Sequence, residues 1–154
     1  MSAKVIVVYE SKYGNTKLVA ETIAAGMREV EGTETVVSRV KEVDLRRIPD
    51  YDVILVGSPN HIGGPTWGIK RFIGRLGKLP LEGKMFAVFD TYLEKEFEKA
   101  VKKMESRISE KVPGLKMAAP GLSIRVEGMK GPISEGELPK CREFGKKIAA
   151  QMKA

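Results

Sequence analysis

At 154 residues the chain is long enough to bury one core without disulfides or metals, so a single domain over 1–154 is expected. One cysteine, Cys141, and one histidine, His61, exclude an internal disulfide, a cysteine or histidine metal cluster and any site built on two histidines. The net charge of +7 would steer the protein toward acidic partners or anionic substrates, or is solvated in mixed-sign helix faces such as Glu98 with Lys102; no basic stripe with interleaved aromatics points to nucleic acid.

In chain order, residues 5–8 are a β-branched apolar run, too continuous for a strand with one wet face, and predict a buried parallel strand. From Thr16 onward Val19, Ile23, Met27 and Val30 recur at helical spacing. The turn between them, 11–16, carries Ser11, Lys12, Tyr13, Gly14, Asn15 and Thr16. Backbone N–H groups and the positive end of the helix dipole converge there, and hydroxyl and amide side chains add donors, which makes an anion seat. The spacing is neither the Walker loop nor the dinucleotide fingerprint, because Gly14 is the turn's one glycine.

A second strand is expected over 33–40 at the sheet edge, then a polar connection with Leu45 and Ile48 tucked under it. Residues 53–56 predict a central strand that ends in the Gly- and Pro-rich loop 57–65. Thr66 is placed as the cap of a helix with Ile69, Phe72, Ile73 and Leu76 inward, and Trp67 stands in its first turn. Residues 85–89 predict the fourth strand. Thr91 and Glu94 form a capping box, which starts the next helix as soon as that strand stops at Asp90; it ends at Pro113 and Gly114. The fifth strand, within 115–126, is broken by Pro120 and Gly121, so pairing is expected along one half. Pro139 is expected at the first position of a last helix that turns Cys141, Phe144, Ile148 and Met152 to the sheet.

Val7, Val8, Tyr9, Ser11, Gly14, Thr16 and Ala20 stand in the pattern of the flavodoxin signature, and through them the chain resembles the flavodoxin family. The resemblance is closest over 5–23, continues over 53–77 and fades after Asp90. It implies an α/β fold, a three-layer doubly wound five-stranded parallel sheet of order 2-1-3-4-5. That order, with FMN where the winding reverses, belongs to the family and comes with the resemblance. The function it implies is FMN binding and electron transfer between redox partners. The phosphate would sit on the turn from Ser11 to Thr16, with Lys12, Tyr13, Gly14 and Asn15. The ring would lie against Pro59, Asn60, His61, Ile62 and Gly63, with Thr91 and Tyr92 as its other wall. His61 is the one candidate for an acid there, although a lone loop histidine is more often a bystander. Trp67 is a possible stacking partner by position alone.

Two features depart from the family. Flavodoxins are typically acidic, and they usually carry a longer, often glycine-containing loop after the fourth strand, whereas no glycine occurs here between Gly83 and Gly114. Two rival functions follow from the residues. The loop from Ser58 to Gly63 resembles that of flavodoxin-like quinone reductases, which would make an FMN-dependent NAD(P)H:quinone oxidoreductase. A missing flavin loop would instead make a flavin-free interaction module. No window reaches the ~18 apolar residues of a membrane span, and 1–4 hold no signal-peptide core, so a cytoplasmic location is expected. Asn15, Asn60 and Gln151 are the only amide side chains among many Lys and Glu, a thermophile-like bias.

Overall fold

The apolar runs become strands covered on both faces. The computed structural model describes residues 3–152, so Met1 and Ser2 of the polar lead-in lie outside the described residues. Strands β1 (Ala3–Tyr9), β3 (Val53–Pro59) and β4 (Met85–Tyr92) form the middle of an all-parallel sheet of order β2-β1-β3-β4-β5. Strand β2 (Thr33–Arg39) is the edge, which is why its pattern only half alternates and Val36 stays exposed.

Two cores flank the sheet. Helices α2 (Trp67–Leu76) and α3 (Lys99–Lys111) pack with Ile6, Val8, Ile54, Val56, Phe86 and Val88. Helices α1 (Asn15–Arg28) and α4 (Leu138–Gln151) pack on the other face with Val5, Val7, Val53, Leu55, Ala87 and Phe89. This is the three-layer, doubly wound arrangement with the expected strand order. Short 3-10 turns at Val40–Glu42 and Leu45–Asp50 fill the connection after β2, with Ile48 fully buried. No helix among the described residues is long and apolar enough to cross a membrane.

Glycine sets how closely α1 and α4 cross. A Cβ on Gly26 would stand 2.0 Å from the Arg142 carbonyl oxygen, and one on Gly145 would stand 2.1 Å from that of Ile23. Backbone cannot yield as a side chain can. Gly26→Ala or Gly145→Ala is therefore expected to destabilise the fold by about 1–3 kcal/mol, overriding the ~1 kcal/mol that alanine adds in helix propensity. Urea unfolding reads this as a lower midpoint at unchanged slope; an unchanged midpoint would show that the helices can part without cost. Cys141 packs at the same interface layer, and burial pushes its thiol up to about 12, so it is a packing residue and not a nucleophile.

Three expectations are corrected. The capping box at Thr91 does not start a helix: β4 runs on through Thr91 and Tyr92, and α3 begins at Lys99. Sheet pairing overrides the local pattern, because Thr91 is in register with Pro59 on one side and Ile124 on the other. The broken fifth strand pairs along both halves, β5 (Lys116–Met117) beside Met85 and Phe86, and β6 (Leu122–Arg125) beside 89–92. The chain accommodates Pro120 by spending more residues between Met117 and Leu122 than β4 spends between Phe86 and Phe89, a bulge that leaves no ladder bond to be lost. Finally, α4 starts at Leu138, so Pro139 is its second residue, still within the first turn where a missing N–H costs nothing.

Candidate functional site

The carboxyl ends of β1, β3 and β4 lie side by side, with Tyr9 in register with Gly57 and Pro59 with Thr91. The loops that leave them surround a cavity of about 350 Å³, in the size range of small-molecule sites.

Its first wall is the turn into α1. Gly14 takes φ 94°, a left-handed conformation that lets the chain swing from strand to helix, and its N–H donates to Ser11 Oγ at 3.0 Å. No side chain among the described residues caps α1, and no acid stands in its first turn, so the positive end of the helix is left uncovered at the cavity. The Thr16 and Thr91 hydroxyls, both buried, hydrogen bond at 3.0 Å. Whichever donates, the other keeps its proton for a further acceptor. Lys12 and Lys130 lie over the Tyr13 ring at 5.5 and 6.0 Å and add positive charge beside the turn.

The second wall is the loop after β3. Asn60 spends its side chain on the fold: its amide donates to the Thr91 carbonyl, and its Oδ1 accepts from Ala100 N–H at 2.9 Å. Ile62 has φ 52° and is 91% exposed, an unfavourable conformation for a β-branched residue held at the cavity mouth. Gly63 N–H donates to Glu96 Oε2 at 2.6 Å and so ties this loop to the next. Thr66 caps α2 through Ile69 N–H, as its sequence position predicts, and its hydroxyl donates to Glu10.

The third wall is the segment between β4 and α3. Here the chain turns through Glu94 and Glu98, both at positive φ, before α3 begins. The first N–H groups of α3 are satisfied from elsewhere in the fold, Ala100 by Asn60 and Val101 by Asp90 Oδ2 at 3.0 Å; Ser123 Oγ accepts from Glu98 N–H. Asp90 is fully buried and also accepts from Ser123 Oγ at 2.5 Å. Burial pushes its carboxyl from 3.8 up to about 6, with the Glu98 charge adding to the rise and the Ser123 and Val101 donors opposing it. A fourth wall comes from the loop after β6. It is placed partly by Glu137, whose carboxylate accepts from Arg125 N–H at 2.9 Å and pairs with Lys140 at 2.7 Å. Burial raises the Glu137 carboxyl, but those two donors outweigh it and hold it below its usual range.

Of the residues singled out in the sequence, Ser11, Lys12, Tyr13, Asn15, Thr16, Pro59, Asn60, His61, Ile62, Thr91 and Tyr92 line the cavity together. Gly14 and Gly63 do not line it; they shape the turns behind it. Trp67 lies outside it, in a groove on the far side of the Glu10–Thr66 hydrogen bond. Thr66, Leu93, Glu96, Val126 and Met129 also line the cavity and were not anticipated. A signal existed for Met129 alone, a large apolar residue in an otherwise polar, glycine-rich loop, and it is 72% exposed.

The flavodoxin family model matches residues 7–130 of the chain. The chain belongs to the flavodoxin family. A flavodoxin of Aquifex aeolicus is 38% identical to it over 91 residues, 57% of this chain and 49% of that protein, so the match spans about half of that relative's length. Among solved structures, a flavodoxin from the domain Archaea superposes with a TM-score of 0.84 at 27% identity, over 98% of this chain and 99% of that one. Oxidised flavodoxin 2 of Bacillus cereus gives a TM-score of 0.81 at 27% identity, covering 97% and 99%. Flavodoxins bind FMN and pass electrons to redox partner proteins. The cavity of the chain stands at the reversal of the winding, between β1 and β3, where open parallel sheets hold their ligands.

Proposed function

We propose that this member of the flavodoxin family holds FMN in the cavity and carries electrons between redox partner proteins. The observation that carries this reading is the uncapped, acid-free N-terminus of α1 facing a cavity lined by Ser11, Asn15 and Thr16. Oriented N–H groups, two hydroxyls and an amide with Lys12 nearby are a donor set for a phosphate dianion. The remainder of the lining suits a flat, amphipathic ring: Tyr92, His61, Ile62, Leu93 and Met129 offer apolar and aromatic surface, and backbone in the loop after β3 offers polar contacts. When bound, FMN supplies the electron-accepting chemistry. The protein's part is to seat the phosphate, hold the loops rigid through the Gly63–Glu96 and Asn60–Ala100 hydrogen bonds, and limit water at the ring.

A carrier accepts electrons once per flavin and waits for a partner. Mixed with NAD(P)H and a quinone but no partner protein, the FMN-loaded protein is expected to show no steady consumption. Sustained turnover would overturn the carrier reading in favour of a quinone reductase.

The partner we infer is acidic. The net charge is +7, and Lys12 and Lys130 flank a mouth where Ile62 and Met129 stand exposed. Apolar contact rimmed by one sign of charge suits a transient complex with a surface of the opposite sign. Electron exchange with an acidic partner is expected to slow by about tenfold or more between low and ~0.5 M salt, because steering is screened. Stopped-flow rates independent of salt would reduce the charge to surface solvation.

A further inference from the structure

A second concavity lies beyond the Glu10–Thr66 hydrogen bond, between the first turns of α2 and the chain that follows β2. Its volume is about 350 Å³, the same as that of the cavity already described. Leu45 and Phe72 contribute an apolar floor, and Trp67, 70% exposed, forms one side. Trp67, Arg71 and Arg75 follow one another at four-residue intervals, so they form a single stripe along α2. The Arg71 guanidinium lies 5.4 Å from the Trp67 ring centroid, and Lys41 faces the stripe from the other bank.

The charge balance of this groove is one-sided. Arg71 and Arg75 are like charges four residues apart, an arrangement that weakens a helix unless an anion sits between them. Lys41, Arg71 and Arg75 take part in no ion pair among the described residues, while two acids of the neighbouring connection are already engaged, Glu42 by Arg39 and Asp44 by Arg46 and Arg47, and neither they nor Asp50 lines the groove. The one carboxylate in the lining, Glu10, is committed to the start of α2: it accepts from Thr66, and a Cβ on Gly68 would stand 2.8 Å from its Oε1. An exposed indole with an apolar floor calls for a planar ring, and three cations without an ion-pair partner among the described residues call for an anion.

We propose that this groove binds a nucleotide, a heteroaromatic base carrying phosphate, with the base against Trp67 and the phosphates on Lys41, Arg71 and Arg75. A concave, apolar-floored site of this size suits a mononucleotide better than the flat surface of a protein partner. Stacking on an aromatic ring and bonding of phosphate by arginine are each strong for such ligands. The site is separate from the cavity assigned to FMN and does not depend on that assignment.

The test is calorimetric titration of FMN-saturated protein with ADP, adenosine and pyrophosphate, alongside the indole N–H resonance of Trp67, the chain's single tryptophan. Expected is saturable ADP binding at one site per chain with Kd below about 1 mM, a shift of the indole resonance, and weaker binding of adenosine and of pyrophosphate. Arg71→Ala and Arg75→Ala, both on the surface, should each weaken ADP on the order of tenfold, and Trp67→Ala should bring ADP close to pyrophosphate. Absence of saturable ADP binding would overturn the proposal. Binding that FMN abolishes, or that the arginine variants leave unchanged, would do the same by placing the nucleotide elsewhere. Displacement of ADP by a short polyglutamate peptide that binds more tightly would replace the nucleotide with an acidic protein partner.

Discussion

Replacing Ser11 and Thr16 together with alanine is expected to weaken FMN by roughly 10²–10⁴-fold while changing riboflavin by only a few-fold. Each hydroxyl that donates to a phosphate dianion makes a charge-assisted hydrogen bond worth about 1.5–3 kcal/mol, and two such bonds account for the loss. Riboflavin carries no phosphate, so it reports whether the rest of the site survives. Thr16 is buried and bonded to Thr91, and Thr16→Ala leaves that partner unpaired. Thr16→Ser keeps the hydroxyl and should therefore keep most of the affinity. Fluorescence titrations of both ligands measure the two losses side by side. Equal losses for FMN and riboflavin would place the phosphate away from this turn.

The second large effect concerns stability and pH. Asp90 has a folded-state pKa raised from 3.8 to about 6, chiefly by burial. The folded protein thus holds a proton that the unfolded chain has released between these values. The associated stabilisation is fully present below pH ~4 and is lost as pH rises through ~6, to a total of about 3 kcal/mol at 1.36 kcal/mol per unit. Asn in this place has no charge to bury and can still accept from Val101 N–H and donate to Ser123. The difference in unfolding free energy between wild type and Asp90→Asn should therefore shift by about 3 kcal/mol between pH 4 and pH 7, in favour of the variant at the higher pH. Other carboxylates titrate in both proteins and cancel in the difference. Urea unfolding at several pH values, at equal FMN occupancy, reads it directly; parallel stability curves would mean that Asp90 is solvated or compensated in the folded state.

The middle strands were legible because continuous apolar runs have one physical explanation in a chain of this size, burial on both sheet faces, and β1, β3 and β4 have it. The turn from Ser11 to Thr16 was legible because its chemistry is local: the residues that would bind are those that make the turn. The wall between β4 and α3 was not. Thr91 and Glu94 satisfy a local capping pattern, yet the groups that cap α3 are Asn60 and Asp90, distant in sequence and brought there by sheet register. Glu96 was not legible because its role depends on Gly63, another non-local contact, nor was Val126, because a glycine-rich loop carries no period to say which way it faces. Gly26 and Gly145 read as weak points in two helices until the helices are seen to cross there.

Whether the cavity at the ends of β1, β3 and β4 is a flavin site is read from the visible spectrum of the purified protein, with any released flavin identified by chromatography. A yellow protein carrying one FMN per chain is expected, or a colourless one that takes up one FMN and unfolds at a higher temperature when it does. A colourless protein that neither takes up FMN nor is stabilised by it would contradict a flavin site and leave an interaction module on the same fold.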